Sequence, residues 1–409
     1  MVEIIADLQI HSKYSRATSK DLNIENLEKY GKIKGLNLLG IGDFQHPLHR
    51  KDINSKLKED SNGILWTKRK EVAFLWQTEV SLMFKQGGKQ RAVHLLIFSP
   101  NSKTSDKITD YLSEKGRLDY DGRPIFGITC RDFTRDLKKI DDDIEIIPAH
   151  CLTPFFGIFG SKSGFNSLKE AFGDMVNHIY AVESGMSADP SMLWRFEEIA
   201  NGKIRVVSFS DAHSFWPWRI GREATIFDIP TLSYKNIVKA IRTGEGLKAT
   251  IETPPEYGKY HWDGHRLCNF SSSPAKTKEL NEICPKCGNK LTIGVEYRVE
   301  ETAKYSEGFK PKNAKLFYKI LPLHELLVLC FDKGISSKGN WEVYRNLIDK
   351  FGTEFNLLLN IEKHDILKEG ISEKLVDLII RNRVAGIKVK PGYDGVYGEA
   401  ILTEQKKLF

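Results

Sequence analysis

Glu3-Ile4-Ile5-Ala6-Asp7-Leu8-Gln9-Ile10-His11 is the stretch on which the reading of this chain turns. It is a short apolar run with β-branched residues, the composition of a strand. Asp7, Gln9 and His11 are spaced i, i+2, i+4, and a strand points such residues to one face. Six more runs of strand length follow, at residues 36–43, 73–80, 92–98, 144–150, 178–184 and 204–211. Helical periodicity lies between several of them, at residues 26–34, 106–115 and 192–201. Strand–helix alternation predicts parallel strands and an α/β fold.

Most of these runs end in a carboxylate or a histidine: His11, Asp43, Glu79, His150, Glu183 and Asp211. In parallel α/β folds, chemistry collects at the C-terminal ends of the strands. Seven such strands would bring these side chains to one mouth. Asp211 and His213 repeat the two-residue spacing, and His94 is within reach. The expected donor set is His11, Asp43, Glu79, His94, His150, Glu183, Asp211 and His213, with Asp7 and Gln9 as further candidates. Nitrogen and oxygen donors of this kind suit zinc, manganese or iron. A cluster this large has room for two or three divalent ions (zinc, manganese or magnesium), with Glu79 bridging. Adjacent ions generate a hydroxide nucleophile and stabilise both oxygens of an in-line displacement at phosphorus. Asp211, His213 and Glu79 are the expected catalytic residues. Any one of these groups alone could be a satisfied core residue or a cap, and His46, His49 and His178 are read that way. Asp7 can brace its strand as readily as touch an ion. For His11, Glu79, His150, Asp211 and His213 together, the bland explanation needs five coincidences at strand ends.

The 409 residues exceed one domain. Apolar residues make up 41% and charged residues 28%, which excludes disorder, collagen and coiled coil as global descriptions. No apolar run approaches the ~18 residues of a membrane helix. Met1-Val2-Glu3-Ile4 carries no secretory signature. The expectation is a cytoplasmic protein with no membrane partner. The net charge of +7 is spread along the chain and permits a nucleic-acid partner. Domain boundaries are expected at 1–248 for the α/β domain, 249–301 for a small cysteine-bearing module and 302–409 for a mainly helical domain. Thr253-Pro254-Pro255 marks the first junction.

His265-x2-Cys268 is followed by fifteen residues and then Cys284-Pro285-Lys286-Cys287. This fits a C-x2-C…C-x2-C zinc pattern with histidine in the first place. A Cys3His set fills a closed tetrahedral site that is structural rather than catalytic. His261 is the rival for the fourth ligand. Cys130, Cys151 and Cys330 are read as buried thiols.

Ala6-Asp7-Leu8-Gln9-Ile10-His11-Ser12, Pro148-Ala149-His150 and Phe209-Ser210-Asp211-Ala212-His213 resemble signature motifs of the PHP (polymerase and histidinol phosphatase) phosphoesterases. The resemblance implies a PHP-type distorted (β/α)7 barrel with a multinuclear metal site. It implies ligand roles for His11, Glu79, His94, His150, Asp211 and His213. Two positions depart from the pattern: Gln9 stands where the first histidine of Asp-x-His-x-His is usual, and Asp43 where Asp-His is frequent. Further segments extend the likeness along nearly the whole chain. They are Val182-Glu183-Ser184-Gly185-Met186-Ser187-Ala188-Asp189, the stretch from Asp211 through Trp216-Pro217-Trp218 to Glu223, Tyr260-His261-Trp262-Asp263-Gly264-His265, the cysteine pair, and Pro391-Gly392-Tyr393-Asp394-Gly395-Val396-Tyr397-Gly398. Together they are similar to the endonuclease Q family. That likeness implies a metal-dependent repair endonuclease cutting double-stranded DNA 5′ to deaminated bases (hypoxanthine, uracil, xanthine) or abasic sites. The products implied are 3′-hydroxyl and 5′-phosphate ends.

Trp216 and Trp218 beside His213 suit base stacking or packing between the barrel and the cysteine module. Arg219 and Arg222 suit phosphate, and Tyr393 and Tyr397 sit in a glycine-rich segment that reads equally as a docking loop or an ordinary tight turn. Gln405-Lys406-Lys407-Leu408-Phe409 resembles the start of a sliding-clamp binding motif. Two other functions stay open. One is a small-molecule phosphoesterase, against which stand about 160 further residues of module. The other is a catalytically weakened DNA-binding scaffold, which Gln9 keeps in view.

Overall fold

A computed structural model describes residues 1–402. The Gln405–Phe409 stretch with its clamp-like pattern lies outside the described residues. The architecture is mixed α/β. The strands that position the site are β1 (Val2–Asp7), β2 (Leu38–Gly40), β3 (Ala73–Leu75), β4 (Gln77–Gln86), β5 (Lys89–Phe98), β6 (Glu145–Pro148), β7 (Ala181–Glu183), β8 (Arg205–Val207), β9 (Ala224–Ile229), β10 (Leu247–Glu252) and β11 (Leu316–Lys319). Each expected run overlaps at least one of the first eight strands.

Backbone pairing leads from strand to strand in chain order. β1 pairs parallel with β2 and β2 with β3. β3 passes through Trp76 into β4, which pairs with β5, and β5 pairs with β6. Cys151 N donates to Glu183 O at 2.9 Å, joining the end of β6 to β7, and β7 pairs parallel with β8. His11 N donates to Ala212 O at 3.2 Å and Ala212 N to Gln9 O at 3.2 Å, which returns the circuit to β1.

The expectation of parallel strands throughout needs correction. β4 and β5 are antiparallel over Gln77↔Phe98 to Gln86↔Lys89, and β6 runs antiparallel to β5. The cause is Gly87-Gly88, with φ of 61° and 74°. Two left-handed residues in a two-residue loop make the tight hairpin turn whose twist matches that of its strands. No helix is needed there. On the other edge of β1, β9 pairs antiparallel, β10 antiparallel to β9, and β11 parallel to β10. β11 therefore ties chain beyond residue 302 into the first sheet.

Helix α1 (Ile24–Lys34) starts where the Asn23 side chain accepts from Asn26 N, and ends at Gly35 with φ 99°. Such a cap contributes about 1 kcal/mol. The expected helix at 192–201 is two short turns, Pro190–Leu193 and Glu197–Ala200, because Phe196 goes extended to stack on Phe159 at 5.2 Å. Five helices follow later: α2 (Leu323–Phe331), α3 (Lys338–Phe351), α4 (Glu354–Leu359), α5 (Lys363–Lys368) and α6 (Glu373–Arg383). Leu323, Leu326, Leu347, Leu358 and Ile379 form their buried core. Cys130, Cys151 and Cys330 are free and buried.

On β1 and its extension, Ile4, Ala6, Leu8 and Ile10 are buried on one face, and Asp7, Gln9 and His11 on the other. A polar face with no water must find partners. Those partners are the candidate site.

Candidate metal centre

Two donor triads meet there. His11, Asp211 and His213 form one, and Glu79, His94 and His150 the other. Glu79 joins them. Its Oε2 is 2.9 Å from His11 Nε2, and its Oε1 is 2.6 Å from His94 Nδ1 and 3.5 Å from His150 Nε2. His11 Nε2 is 3.2 Å from Asp211 Oδ1, and His94 Nδ1 is 3.1 Å from His150 Nε2. Burial pulls His11 down, but Asp211, Asp43 and Glu79 outweigh it and raise His11 well above its ordinary pKa. Burial pushes Glu79 up, but His94 and Arg123 hold it well below the usual carboxylate range. Burial holds His94 down at about 4, so it is neutral near pH 7.

The neighbours fix the imidazole tautomers. Thr153 Oγ1 gives its one hydrogen to a carbonyl, so His150 Nδ1–H donates to Thr153 at 2.8 Å. His213 Nδ1–H donates to Asp211 O at 2.9 Å. In both rings the lone pair is left on Nε2, and for His150 that atom faces Glu79. Asp43 stands behind His11, 3.3 Å from Nδ1, and accepts from Ser12 N and Ser15 Oγ at 2.6 and 2.8 Å. Against burial, His11 brings Asp43 down to about 2. Asp43, His150 and Asp211 all carry positive φ, of 39°, 30° and 49°. Backbone strain of this kind persists where packing over-determines a side chain's aim.

Of the other expected donors, Asp7 and Glu183 are occupied elsewhere and Gln9 is not. Asp7 accepts from Ser210 N at 2.9 Å and Gly221 N at 2.8 Å, so it braces the return of the circuit. Glu183 accepts from the amides of His150, Gly185 and Phe209. Gln9 Nε2 reaches Glu79 Oε2 at 3.4 Å, and Gln9 Oε1 is buried without a hydrogen-bond partner.

A cleft of about 810 Å³ opens over the triads. Arg123 reaches in from its wall, with Nη1 3.7 Å from Glu79 Oε2. Nothing in the strand pattern pointed to Arg123, which lies on a loop. Its position depends on Gly122, whose added Cβ would meet Asp43 Oδ2 at 2.2 Å. Arg222 is anchored to Ser210 O through Nε and Nη2 at 3.1 and 2.9 Å, and its Nη1 has no hydrogen-bond partner. Tyr397 lies on the cleft with Arg219 5.4 Å and Lys259 5.8 Å from its ring centre. The charge of Arg222 lowers its phenol pKa. Phe155 and Tyr260 meet edge to face at 6.1 Å and also line the cleft, with Lys259 5.7 Å from the Tyr260 ring centre.

Trp216 and Trp218 are not among the residues lining this cleft. Their rings stack at 5.2 Å in a cluster with Trp341, and His324 lies against Trp218 and Trp341, on the side of helices α2 and α3. Tyr393 is buried against the cysteine module, with its hydroxyl donating to Asn269 Oδ1 at 2.6 Å. In that module His265, Cys268, Cys284 and Cys287 converge as a further group able to hold an ion. His261 turns away to Ser187 O at 3.2 Å. Burial raises the Cys284 thiol, but the amides of Lys286 and Cys287 and the His265 ring bring it to about 6. Thiolate is the form that binds metal.

Among solved structures, the lesion-specific endonuclease PfuEndoQ from Pyrococcus furiosus superposes with a TM-score of 0.86 at 30% identity, over 98% of this chain and 96% of that one. A crystal structure of endonuclease Q with a 27-mer duplex bearing an abasic lesion at the active site gives 0.88 at 29% identity, over 98% and 97%. Residues 322–385 match the model of the MJ0043 C-terminal domain. An uncharacterized protein of Methanocaldococcus jannaschii, MJ0043, is 30% identical over 302 residues, 71% of this chain. The match spans 35% of that curated relative's length. The chain belongs to the endonuclease Q family.

Proposed function

We propose that the chain is a metal-dependent DNA endonuclease of repair. It hydrolyses the phosphodiester 5′ to a deaminated base (hypoxanthine, uracil or xanthine) or an abasic site, leaving 3′-hydroxyl and 5′-phosphate. One observation carries this reading: two donor triads share Glu79 on the floor of a cleft whose rim is cationic and aromatic. The cleft is broad for a small phosphoester, and a solved relative holds a duplex with an abasic lesion at its active site. The strand circuit is consistent with a PHP-type barrel over residues 1–248. Residues 249–301 form a module stapled by zinc on His265, Cys268, Cys284 and Cys287, and the chain from 302 is the helical DNA-binding part.

The residues present fit divalent ions. Gln9 Oε1 is an orphaned buried acceptor, and Glu79 Oε1 lies 2.6 Å from His94 Nδ1 without hydrogen-bond alignment. His11, Asp211 and His213 would hold one ion, and Glu79, His94 and His150 another. When bound, such a pair supplies an activated water and charge stabilisation for in-line displacement. The protein's own groups do the rest. Thr153 and the Asp211 carbonyl keep the His150 and His213 lone pairs on Nε2, and Asp43 orients His11. Arg123 presents N–H groups to phosphate oxygens, and Arg222 braces the Ser210 carbonyl beneath them. Phe155, Tyr260 and Tyr397 offer ring faces to a nucleotide drawn out of the stack.

The test is a nicking assay on labelled duplexes carrying one hypoxanthine, uracil or abasic site, with Mg²⁺, Mn²⁺ or Zn²⁺, beside undamaged duplex and EDTA. The expected result is a metal-dependent cut 5′ to the lesion. Duplex binding with no cut under any metal would replace this reading with a scaffold.

A further inference from the structure

We propose that Gln9 divides the two ion positions by metal type. On this proposal the position at Gln9, His11 and Asp211 is an oxygen-rich, exchangeable site for Mn²⁺ or Mg²⁺, and Glu79, His94 and His150 retain zinc. This rests on the two-ion reading above and concerns which ion stands where.

The Gln9 side chain is fully buried and its Oε1 has no partner. Its other terminal atom, Nε2, is 3.4 Å from Glu79 Oε2, the same oxygen that lies 2.9 Å from His11 Nε2. Asp211 Oδ1 is 3.2 Å from that histidine atom. The termini of Gln9, Glu79, His11 and Asp211 thus follow one another at 3.4, 2.9 and 3.2 Å, which brings the Gln9 amide to the edge of the His11–Asp211–His213 group. The two ends of an amide exchange by rotation about its last bond. Exchanging the two ends gives up one long hydrogen bond and no other, and places a neutral oxygen beside Glu79 Oε2, next to His11 Nε2. His11 and His213 then supply the only nitrogens. Donor sets dominated by oxygen suit Mg²⁺ and Mn²⁺, and imidazole-dominated ones suit zinc.

Two independent features point the same way. Arg123 Nη1 sits 3.7 Å from Glu79 Oε2, the oxygen on the Gln9 side, and its positive charge weakens attraction for a cation there. The positions also differ in access to water. The side chains of Asp211 and His213 are 32% and 33% exposed, those of His94 and His150 5% and 12%. Phe156 stacks on His94 at 4.2 Å and helps to close that side. One position is richer in oxygen and open on its Asp211 and His213 side, and the other is closed and richer in nitrogen.

The experiment uses the full chain, dialysed against zinc-free buffer with a mild chelator. Metal content is read by mass spectrometry, and Mn²⁺ binding by electron paramagnetic resonance and calorimetry. The wild-type cluster should retain one zinc and bind one exchangeable Mn²⁺. Gln9→His should raise retained zinc by one equivalent and weaken Mn²⁺ competition by about tenfold or more. Gln9→Leu, similar in size but without a donor, should lose about tenfold in Mn²⁺ affinity at unchanged retained zinc and thermal midpoint. Two retained zinc ions in the wild-type cluster, or a Gln9→His protein with unaltered metal content and Mn²⁺ affinity, would overturn the division while leaving the two-ion reading intact. Absence of any ion from the cluster, with His11→Ala indistinguishable from wild type, would overturn both.

Discussion

Lys34 and Glu354, 320 positions apart in the chain, form an ion pair at 2.6 Å with side chains 1% and 0% exposed. Both groups make further hydrogen bonds. Lys34 Nζ also donates to Pro217 O at 2.8 Å, and Glu354 accepts from Leu323 N and from Tyr344 Oη at 2.9 Å each. The pair ties α1 to α2, α3 and α4. Removing one partner leaves the other charge buried alone, which costs about 3–5 kcal/mol. Lys34→Met should therefore lower the urea midpoint sharply, and Lys34→Met with Glu354→Leu should recover much of the loss. A single variant as stable as wild type would show that water reaches the site.

Asp211→Ala is expected to abolish nicking and leave duplex affinity within about threefold, because phosphate contacts supply most of the binding. Asp211 faces His11 and His213, whereas the cationic rim is built from Arg123, Arg219, Arg222 and Lys259. The check is a paired measurement of cleavage and of affinity across a salt series. Retained cutting would remove Asp211 from the catalytic centre.

Much of the site was legible because a strand has period two. Asp7, Gln9 and His11 had to share a face, and a histidine or carboxylate closing run after run had to meet at one end. The same pattern does not say what each group does there. A strand-end carboxylate looks alike whether it accepts backbone amides, as Glu183 does, or faces an imidazole, as Glu79 does. Arg123 was hidden because its reach depends on a loop held against Asp43, and loop placement has no periodicity. The β4–β5 hairpin was written in Gly87-Gly88, but the neighbouring strand–helix alternation dominated the reading. The tryptophans illustrate a different limit. Aromatic rings beside a predicted donor suit a base or a core equally, and only packing against Trp341 and His324 separates the two.

Cys284→Ser should cost one equivalent of bound metal and loosen the segment around residues 263–295. Cys284 is fully buried, and its N–H donates to Asn289 O at 2.8 Å within the turn carrying the ligands. A module this small has too few apolar side chains to hold its shape without such a staple. Limited proteolysis and zinc content are the measurements. Unchanged values for both would make the four-residue cluster dispensable.

Glu223 and Glu252 set a pH dependence away from the triads. Ser208 Oγ lies 3.3 Å from Glu223 Oε2, 3.0 Å from Glu252 Oε2 and 3.2 Å from Ile251 O, yet its hydroxyl has one hydrogen to give. Both carboxyls are fully buried, and burial lifts Glu223 to about 8 and raises Glu252 well above its ordinary value. A carboxyl whose pKa is higher folded than unfolded binds its proton more tightly in the native state. Its stabilising effect is whole below the unfolded value of 4.5 and is lost as pH rises through the folded value of about 8. Wild-type thermal stability should accordingly fall between pH 5 and 9, and Glu223→Gln, neutral at every pH, should flatten that slope and be the more stable protein at pH 9. Parallel melting curves for the two proteins across this range would show that Glu223 is ionised in the native state.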